Sequence, residues 1–272
     1  MADRFFQEDG RNVYTGCELL VKGGLEGRVN LLTGYPGSPI AEVFDIIERH
    51  GKPLQEHGVL AQLANNEALS AARLNGAQMA NLRAISFMKS VGVHVASDAL
   101  AISNMAGAVG GAVVVMGEDP HSDSTQVPSD SRYIAQHLFL PTLEPSTFQE
   151  IKDWVELGLD LSAETGLYIA YIITTYQADG GGAVSVSPHP ALDITPNNPT
   201  SIDPDKINRQ DRIILPPETA RMERDVVNER FPLILRRARD MGVNRIVHPK
   251  PHSQVGFVAS GGAYLHLEHA LH

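Results

Sequence analysis

The stretch LLTGYPGSPIAEVFDIIERHGKPLQEHGVLAQLANNE, residues 31–67, decides the fold of this chain. Its pattern predicts a strand over 29–33, a tight glycine and proline loop over 34–39 and a helix over 39–49. A second strand over 59–63 leads into a helix that opens near Glu67. Strand, loop and helix in this order predict a parallel α/β sheet, which presents its ligand-binding loops at the carboxyl ends of the strands.

The same alternation extends outward from this stretch. Short apolar strands that alternate with helices predict a parallel sheet covered by helices on both faces. The further predicted helices cover 12–26, 66–75, 93–107, 132–138 and 146–164, and the further strands 83–88, 112–116, 141–143 and 167–174.

Three segments are predicted along the chain. Residues 1–176 form the α/β domain just described. Three glycines and a proline-rich tract predict an extended linker over 177–217, which wraps this domain or reaches a neighbour. Residues 218–272 are interpreted as a helix to about residue 241, a strand over 254–259, then a loop and helix, which together begin a second, incomplete α/β domain.

Composition excludes several classes of protein. The 272 residues carry a net charge of -10, which argues against nucleic acids and anionic membranes as partners, because both require clustered Lys and Arg. With Cys17 as the one cysteine, this chain has no internal disulfide and builds no iron–sulfur site by itself. Neither a signal peptide nor an apolar run of about 20 residues is present, so a cytoplasmic protein is expected.

The loop over 34–39 has two interpretations. Its backbone N–H groups and the Ser38 hydroxyl could hold a ligand. Alternatively, Ser38 caps the following helix and Pro39 occupies its first position, so that the loop is purely structural. The loop matches neither the GxxxxGK[ST] phosphate loop nor the GxGxxG fingerprint.

Glu67 also has two interpretations. It could be a surface glutamate that the helix dipole favours in the first turn. Its apolar neighbours favour instead a buried carboxylate that faces a cofactor nitrogen and exchanges a proton near neutral pH.

Polar residues follow two further strands. Lys89, Ser90 and His94 could contact an anionic substrate, although a solvated lysine and a surface histidine are the commoner arrangement. Arg132 is a candidate for bidentate binding of a carboxylate. Acidic and histidine side chains before it resemble a metal cluster by composition alone, so an ordinary polar loop is expected and no metal site is predicted. They are Glu118, Asp119, His121, Asp123 and Asp130; His248 and His252 are assigned to a separate loop.

Six sequence motifs, in the order in which they occur, resemble those of one protein family. These motifs are LLTGYPGSPIAEVFD, NNEALSAARLNGA, FMKSVGVHVASDAL, GGAVVVMGEDP, SDSRYIAQ and LPTLEPSTFQEIKD. Together they resemble the N-terminal, pyrimidine-binding domain of the 2-oxoacid:ferredoxin oxidoreductases, nearest to the alpha subunit of indolepyruvate ferredoxin oxidoreductase. The resemblance covers about residues 14–175 and continues more weakly to the end. Each motif alone is weak, but their order and spacing are specific.

The resemblance implies thiamine diphosphate chemistry. It places Glu67 at the ring N1′ of the cofactor as the catalytic residue. It implies oxidative decarboxylation of an aryl-2-oxoacid such as indolepyruvate to an acyl-CoA, with electrons passing to iron–sulfur clusters. The implied cofactor-binding residues are Gly34, Tyr35, Pro36, Gly37, Glu67 and Val91, and the candidate substrate-binding residues are Ser38, Lys89, Ser90 and Arg132.

Two departures from the family limit what is implied. Ser90 and Asp123 stand where close relatives tend to have histidine, which leaves the 2-oxoacid open. The chain also has no GDG…N segment for Mg²⁺ and diphosphate and no CxxC clusters. Mg²⁺ and the 4Fe-4S clusters are therefore expected in a continuation or in partner subunits, with ferredoxin as acceptor, CoA as co-substrate and a dimer or hetero-oligomer as the assembly.

Two other functions stay open at this point. The chain could be a non-catalytic α/β subunit that keeps the fold without the cofactor. It could also belong to a non-redox thiamine diphosphate decarboxylase or to a transketolase-like enzyme.

Overall fold

A six-stranded parallel sheet forms the centre of the computed structural model, which describes residues 4–189, 214–249, 251–252 and 254–272. The strand order is β3-β2-β4-β5-β7-β6, and every neighbouring pair is parallel. The strands are β2 (Leu31–Gly34), β3 (Leu60–Leu63), β4 (Ala84–Lys89), β5 (Ala112–Glu118), β6 (Thr142–Leu143) and β7 (Ile169–Thr174). The predicted parallel α/β fold is confirmed.

Helices connect these strands and cover both faces of the sheet. Their bounds are α1 (Gly16–Glu26), α2 (Glu42–Arg49), α3 (Gly51–Glu56), α4 (Glu67–Met79), α5 (Ser90–Ala106), α6 (Ser131–His137), α7 (Phe148–Thr165) and α8 (Thr175–Asp179). Within the described parts of the chain, none of the helices has the length and apolar character needed to cross a membrane.

Two apolar cores result from the alternation of side chains along the strands. Val113 and Val115 of β5 belong to the core that includes residues of α1, α2 and α7. Val114 and Met116 belong to the opposite core, with residues of α4, α5 and α6. The central strands are therefore buried on both faces, as their continuous apolar runs predict.

The start of the predicted first helix is a strand instead. β1 (Arg11–Thr15) pairs antiparallel with β8 (Gly181–Ser185), in a small second sheet. Thr15 then caps α1, because its side chain accepts a hydrogen bond from the backbone N–H of Glu18 and the Glu18 carboxylate accepts from the Thr15 N–H. The helix predicted over 12–26 is thus wrong for residues 12–15. These residues form a strand because they pair with β8, which is distant in the sequence.

The predicted linker over 177–217 begins with ordered elements. α8 and β8 occupy its first residues and pack on the α/β domain, while residues 190–213 lie outside the described residues. The division into domains therefore stays a prediction.

The predicted helix over 217–241 is confirmed, as α9 (Glu218–Asp225), a π-helical turn (Val226–Arg230) and α10 (Phe231–Asp240). The predicted strand over 254–259 is wrong, because the described residues there pair with no other strand. Val255, Phe257 and Val258 are exposed instead. A final helix, α11 (Gly262–Leu271), follows as predicted.

Candidate active site

The carboxyl ends of β2 and β4 meet where the chain reverses its direction across the sheet. From β2 the chain moves outward to β3 and then crosses back to β4 on the other side of β2. Such a switch point leaves a crevice between the two following loops, where ligands of α/β proteins bind. The loop after β2 and the start of α5 border this crevice.

The loop over 34–39 packs directly on the end of β4. The backbone N–H of Tyr35 donates to the carbonyl of Phe87 at 3.1 Å. A Cβ added to Gly37 would lie 2.8 Å from Cδ of Lys89. The structure thus brings the loop and Lys89 together at the carboxyl edge of the sheet.

The structural interpretation of Ser38 as a helix cap is wrong. Residues 37–40 form a turn, closed by the Ile40 N–H and the Gly37 carbonyl at 3.1 Å, and α2 begins only at Glu42. The half-buried Ser38 hydroxyl has no hydrogen-bond partner among the described residues. It is therefore available to a ligand at the crevice.

Glu67 is the buried carboxylate at this edge of the sheet. Asn66 caps α4 by accepting a hydrogen bond from the Leu69 N–H at 2.9 Å, which places Glu67 in the first turn. Glu67 is 6% exposed, so its interpretation as a surface glutamate is wrong and the predicted burial is confirmed. Over the described residues, its carboxylate has neither a hydrogen-bond nor an ion-pair partner.

Glycine at position 92 makes this burial feasible. A Cβ at Gly92 would lie 2.3 Å from Oε1 of Glu67, closer than any side chain tolerates. This contact was not predicted from the sequence, although a glycine inside a helical pattern is a signal of close packing.

The start of α5 brings further polar groups to the crevice. α5 begins at Ser90, directly after β4 and three residues before the predicted start, with Lys89 as its N-cap residue. Ser90 is buried, and its hydroxyl has no partner among the described residues. Val91 is half-buried, while His94 is exposed on the outer surface of the helix.

The acidic residues after β5 hold their own loop together. Glu118 accepts a hydrogen bond from the Ser131 N–H at 2.9 Å, and burial raises its pKa. Burial also opposes ionisation of Asp119, but the backbone N–H groups of Ser124 and Asp123 lower its pKa to about 2. These contacts are those of an ordinary Asx-type loop. Within the described residues, this loop brings no three metal-ligating side chains together.

Arg132 is engaged within the chain. Its guanidinium contacts Glu144 through Nε and Nη2 at 2.7 and 2.9 Å, and Asp130 at 3.0 Å. Hydrogen bonds to Glu144 raise the pKa of Arg132 further. A substrate carboxylate would have to replace Glu144, so this role of Arg132 stays a prediction.

Comparison with known proteins finds relatives among indolepyruvate oxidoreductase subunits. No protein-family model matches the chain. It is 30% identical to the indolepyruvate oxidoreductase subunit IorA of Methanothermobacter thermautotrophicus over 260 residues, which are 94% of this chain and 40% of that subunit. It is 34% identical to IorA of Pyrococcus horikoshii over 169 residues, 62% of this chain and 26% of that subunit. The predicted resemblance to these oxidoreductases is confirmed.

The chain spans at most about two-fifths of the length of these IorA relatives. A solved structure of 2-oxoglutarate:ferredoxin oxidoreductase from Magnetococcus marinus, with 2-oxoglutarate, coenzyme A and succinyl-CoA bound, shares the fold. The TM-score is 0.57 at 17% identity, over 65% of this chain and 31% of that one. This likeness shows that the two chains share a fold.

Proposed function

We propose that this chain supplies one wall of the thiamine diphosphate site of a 2-oxoacid oxidoreductase. The proposed reaction is the oxidative decarboxylation of an aryl-2-oxoacid, such as indolepyruvate, to an acyl-CoA. One observation carries the proposal: the Glu67 carboxylate is buried against Gly92 without a partner among the described residues, beside the switch point of the sheet. The IorA relatives support the class of substrate.

The residues at the crevice fit the pyrimidine end of this cofactor. The Glu67 carboxylate can accept a hydrogen bond from a ligand N–H group, because the described residues offer it no donor. The loop of Gly34, Tyr35, Pro36 and Gly37 would border the ring on one side, and Val91 on the other. When bound, thiamine diphosphate supplies carbanion stabilisation next to the substrate carbonyl.

In this proposal, Glu67 holds a proton at the ring N1′. The first turn of α4 would present the Glu67 carboxylate to the ring as a hydrogen-bond partner. Packing against Gly92 fixes the position of the carboxylate and excludes water from one side. A buried, oriented carboxylate of this kind contributes to proton transfer by about 10²–10⁴-fold.

Lys89, Ser90 and Ser38 are proposed to contact the substrate. Lys89 brings a positive charge to the end of β4, which favours the carboxylate of a 2-oxoacid. The buried Ser90 hydroxyl and the Ser38 hydroxyl are unengaged donors among the described residues. Mg²⁺, the diphosphate site, the 4Fe-4S clusters and the contacts to CoA and ferredoxin are proposed to lie in other segments or subunits.

The test uses the chain in its natural complex. Thiamine diphosphate is quantified in the purified complex, and CoA-dependent reduction of a viologen dye is measured with indolepyruvate and phenylpyruvate. We expect Glu67→Gln to lower turnover by at least about 100-fold. The matched control Glu56→Gln, whose side chain is 64% exposed, leaves turnover unchanged.

Three outcomes would overturn the proposal. A complex without thiamine diphosphate indicates a non-catalytic subunit, and full turnover of Glu67→Gln removes the assigned role of this residue. Decarboxylation without dye reduction indicates a non-redox thiamine enzyme. Circular dichroism of Glu67→Gln shows whether a loss of turnover reflects unfolding.

A further inference from the structure

The last segment of the chain has almost no apolar core of its own. Of the described residues in 241–272, Gly261 and Gly262 are buried, and neither has an apolar side chain to contribute. Val255, Phe257 and Val258 face solvent. Polar contacts connect this segment to the α/β domain, such as the hydrogen bond from the Ser260 hydroxyl to Oε2 of Glu144 at 3.0 Å.

Three metal-ligating side chains converge in this segment. One ligand atom from each of His248, Glu268 and His272 lies within 4.8 Å of the other two. Nε2 of His248 is 3.4 Å from Oε1 of Glu268. The rings of His248 and His272 lie at 86° to each other, with their centroids 6.3 Å apart. The described residues contain no other group of this kind.

The sequence places these ligands on two separate pieces of backbone. Glu268 lies on α11, and His272 is the C-cap residue four positions later, a spacing that brings both side chains to the same side of the helix end. His248 comes from the loop between α10 and α11 and reaches the same face. An ion bound here would therefore connect the loop to the end of the helix. Two histidines on the same helix could not make this connection.

Tyr264 orients the carboxylate of this cluster. Its hydroxyl donates a hydrogen bond to Oε1 of Glu268 at 2.8 Å, from the preceding turn of α11. Metal ligands typically have such a second partner, which fixes their orientation and raises the affinity.

We propose that His248, Glu268 and His272 form a zinc site. Two imidazole nitrogens and one carboxylate oxygen are a known ligand set for Zn²⁺, with water at the fourth tetrahedral position. This mixture of nitrogen and oxygen donors favours Zn²⁺ over Mg²⁺ and Ca²⁺, which prefer oxygen ligands. The site is separate from the Glu67 crevice, and the ion holds the C-terminal segment together.

The test titrates the full chain with metal after treatment with a chelator. Calorimetry with Zn²⁺ is expected to give one site per chain, and Co²⁺ is expected to give the visible absorption of tetrahedral coordination. His248→Ala and His272→Ala should each weaken binding by at least about tenfold, and Tyr264→Phe by about tenfold. Matched controls are His269→Ala on the same helix and His252→Ala in the preceding loop, which should bind like the wild-type chain.

Two results would overturn the zinc site. One is that His272→Ala binds Zn²⁺ as tightly as His269→Ala does. The other is that the wild-type chain does not bind one Zn²⁺ per chain. Limited proteolysis gives an independent measurement, because Zn²⁺ should slow cleavage within residues 241–272 of the wild-type chain but not of His248→Ala. Unchanged circular dichroism of the variants would show that the α/β domain is still folded.

Discussion

Glu67 lies against the α-carbon of Gly92, so closely that a Cβ on this glycine would be 2.3 Å from Oε1. The two residues are in the first turns of α4 and α5, which pack side by side on one face of the sheet. The carboxylate can therefore occupy this position because residue 92 of the neighbouring helix is a glycine and has no side chain.

Gly92→Ala is expected to displace the Glu67 carboxylate. In the natural complex, turnover should fall by about tenfold or more, as expected when a catalytic group is moved by about an ångström. Gly76→Ala on α4 is the matched control, because a Cβ there contacts no other atom within 4 Å. It should stabilise the chain by about 0.5–1 kcal/mol in urea unfolding and keep full turnover. Full turnover of Gly92→Ala would contradict the positioning role of this glycine.

Lys152→Met is expected to be strongly destabilising. Nζ of Lys152 pairs with Oε2 of Glu26, and both side chains are at most 3% exposed. Removing this partner leaves Oε2 of Glu26 without its cation, while Oε1 keeps the Ser187 N–H at 3.1 Å and the Nζ of Lys22 at 3.7 Å. We therefore expect a loss of about 3 kcal/mol in the free energy of unfolding. The exposed pair Lys52–Glu56 is the control, and Lys52→Met should change stability by less than about 0.5 kcal/mol. Equal effects of both substitutions would contradict this prediction.

His189 should make the fold sensitive to mild acid. Burial, followed by the charge of Lys22 at 3.2 Å, lowers the pKa of His189 to about 4, although Glu8 acts in the opposite direction and His57 lies nearby. The unfolded chain then binds the proton more readily between pH 6.5 and 4, so stability is full above this range and falls as the pH decreases through it.

His189→Phe should remove this dependence. In urea unfolding at a series of pH values, the wild-type chain should lose up to about 2 kcal/mol more than His189→Phe between pH 6.5 and 4. His94→Phe changes an exposed histidine and should keep the wild-type slope. If the free energy of unfolding falls equally with pH for the wild-type chain and His189→Phe, the proton affinity of this histidine does not change on unfolding.

Asp119 should contribute stability that is lost in strong acid. Its pKa is lowered to about 2 in the folded chain, below its ordinary value of 3.8. The contribution is therefore present above about pH 4 and disappears as the pH falls toward 2. Asp119→Asn should be less stable than wild type at neutral pH, and thermal unfolding should show this difference shrinking between pH 4 and 2. Asp9→Asn, an exposed control, should show no such change.

The order of helices and strands was largely predictable from the sequence. β5 and β7 are mostly continuous apolar runs, and α4 begins after a capping asparagine, with Glu67 in its first turn. These signals act over a few neighbouring residues, so they can be recognised without the fold. The burial of Glu67 was predicted from its apolar neighbours in the sequence, but Leu60, Leu63 and Leu69 are themselves exposed, and the burial follows from packing against Gly92.

Other features depend on residues that are distant in the chain. β1 is a strand because β8 pairs with it, and residues 254–259 form no strand because the described chain provides no partner. The convergence of His248 with α11 likewise follows from the folded loop.

The sequence alone determined the parallel α/β fold and the position of Glu67 in the first turn of α4, because helix capping and apolar periodicity are local. Only the tertiary structure decided that Gly92 lies against this carboxylate and that the Ser38 loop packs on Lys89. Both contacts join segments that the sheet brings together at one edge, and a local pattern can indicate close packing at Gly92 without naming the residue that packs there.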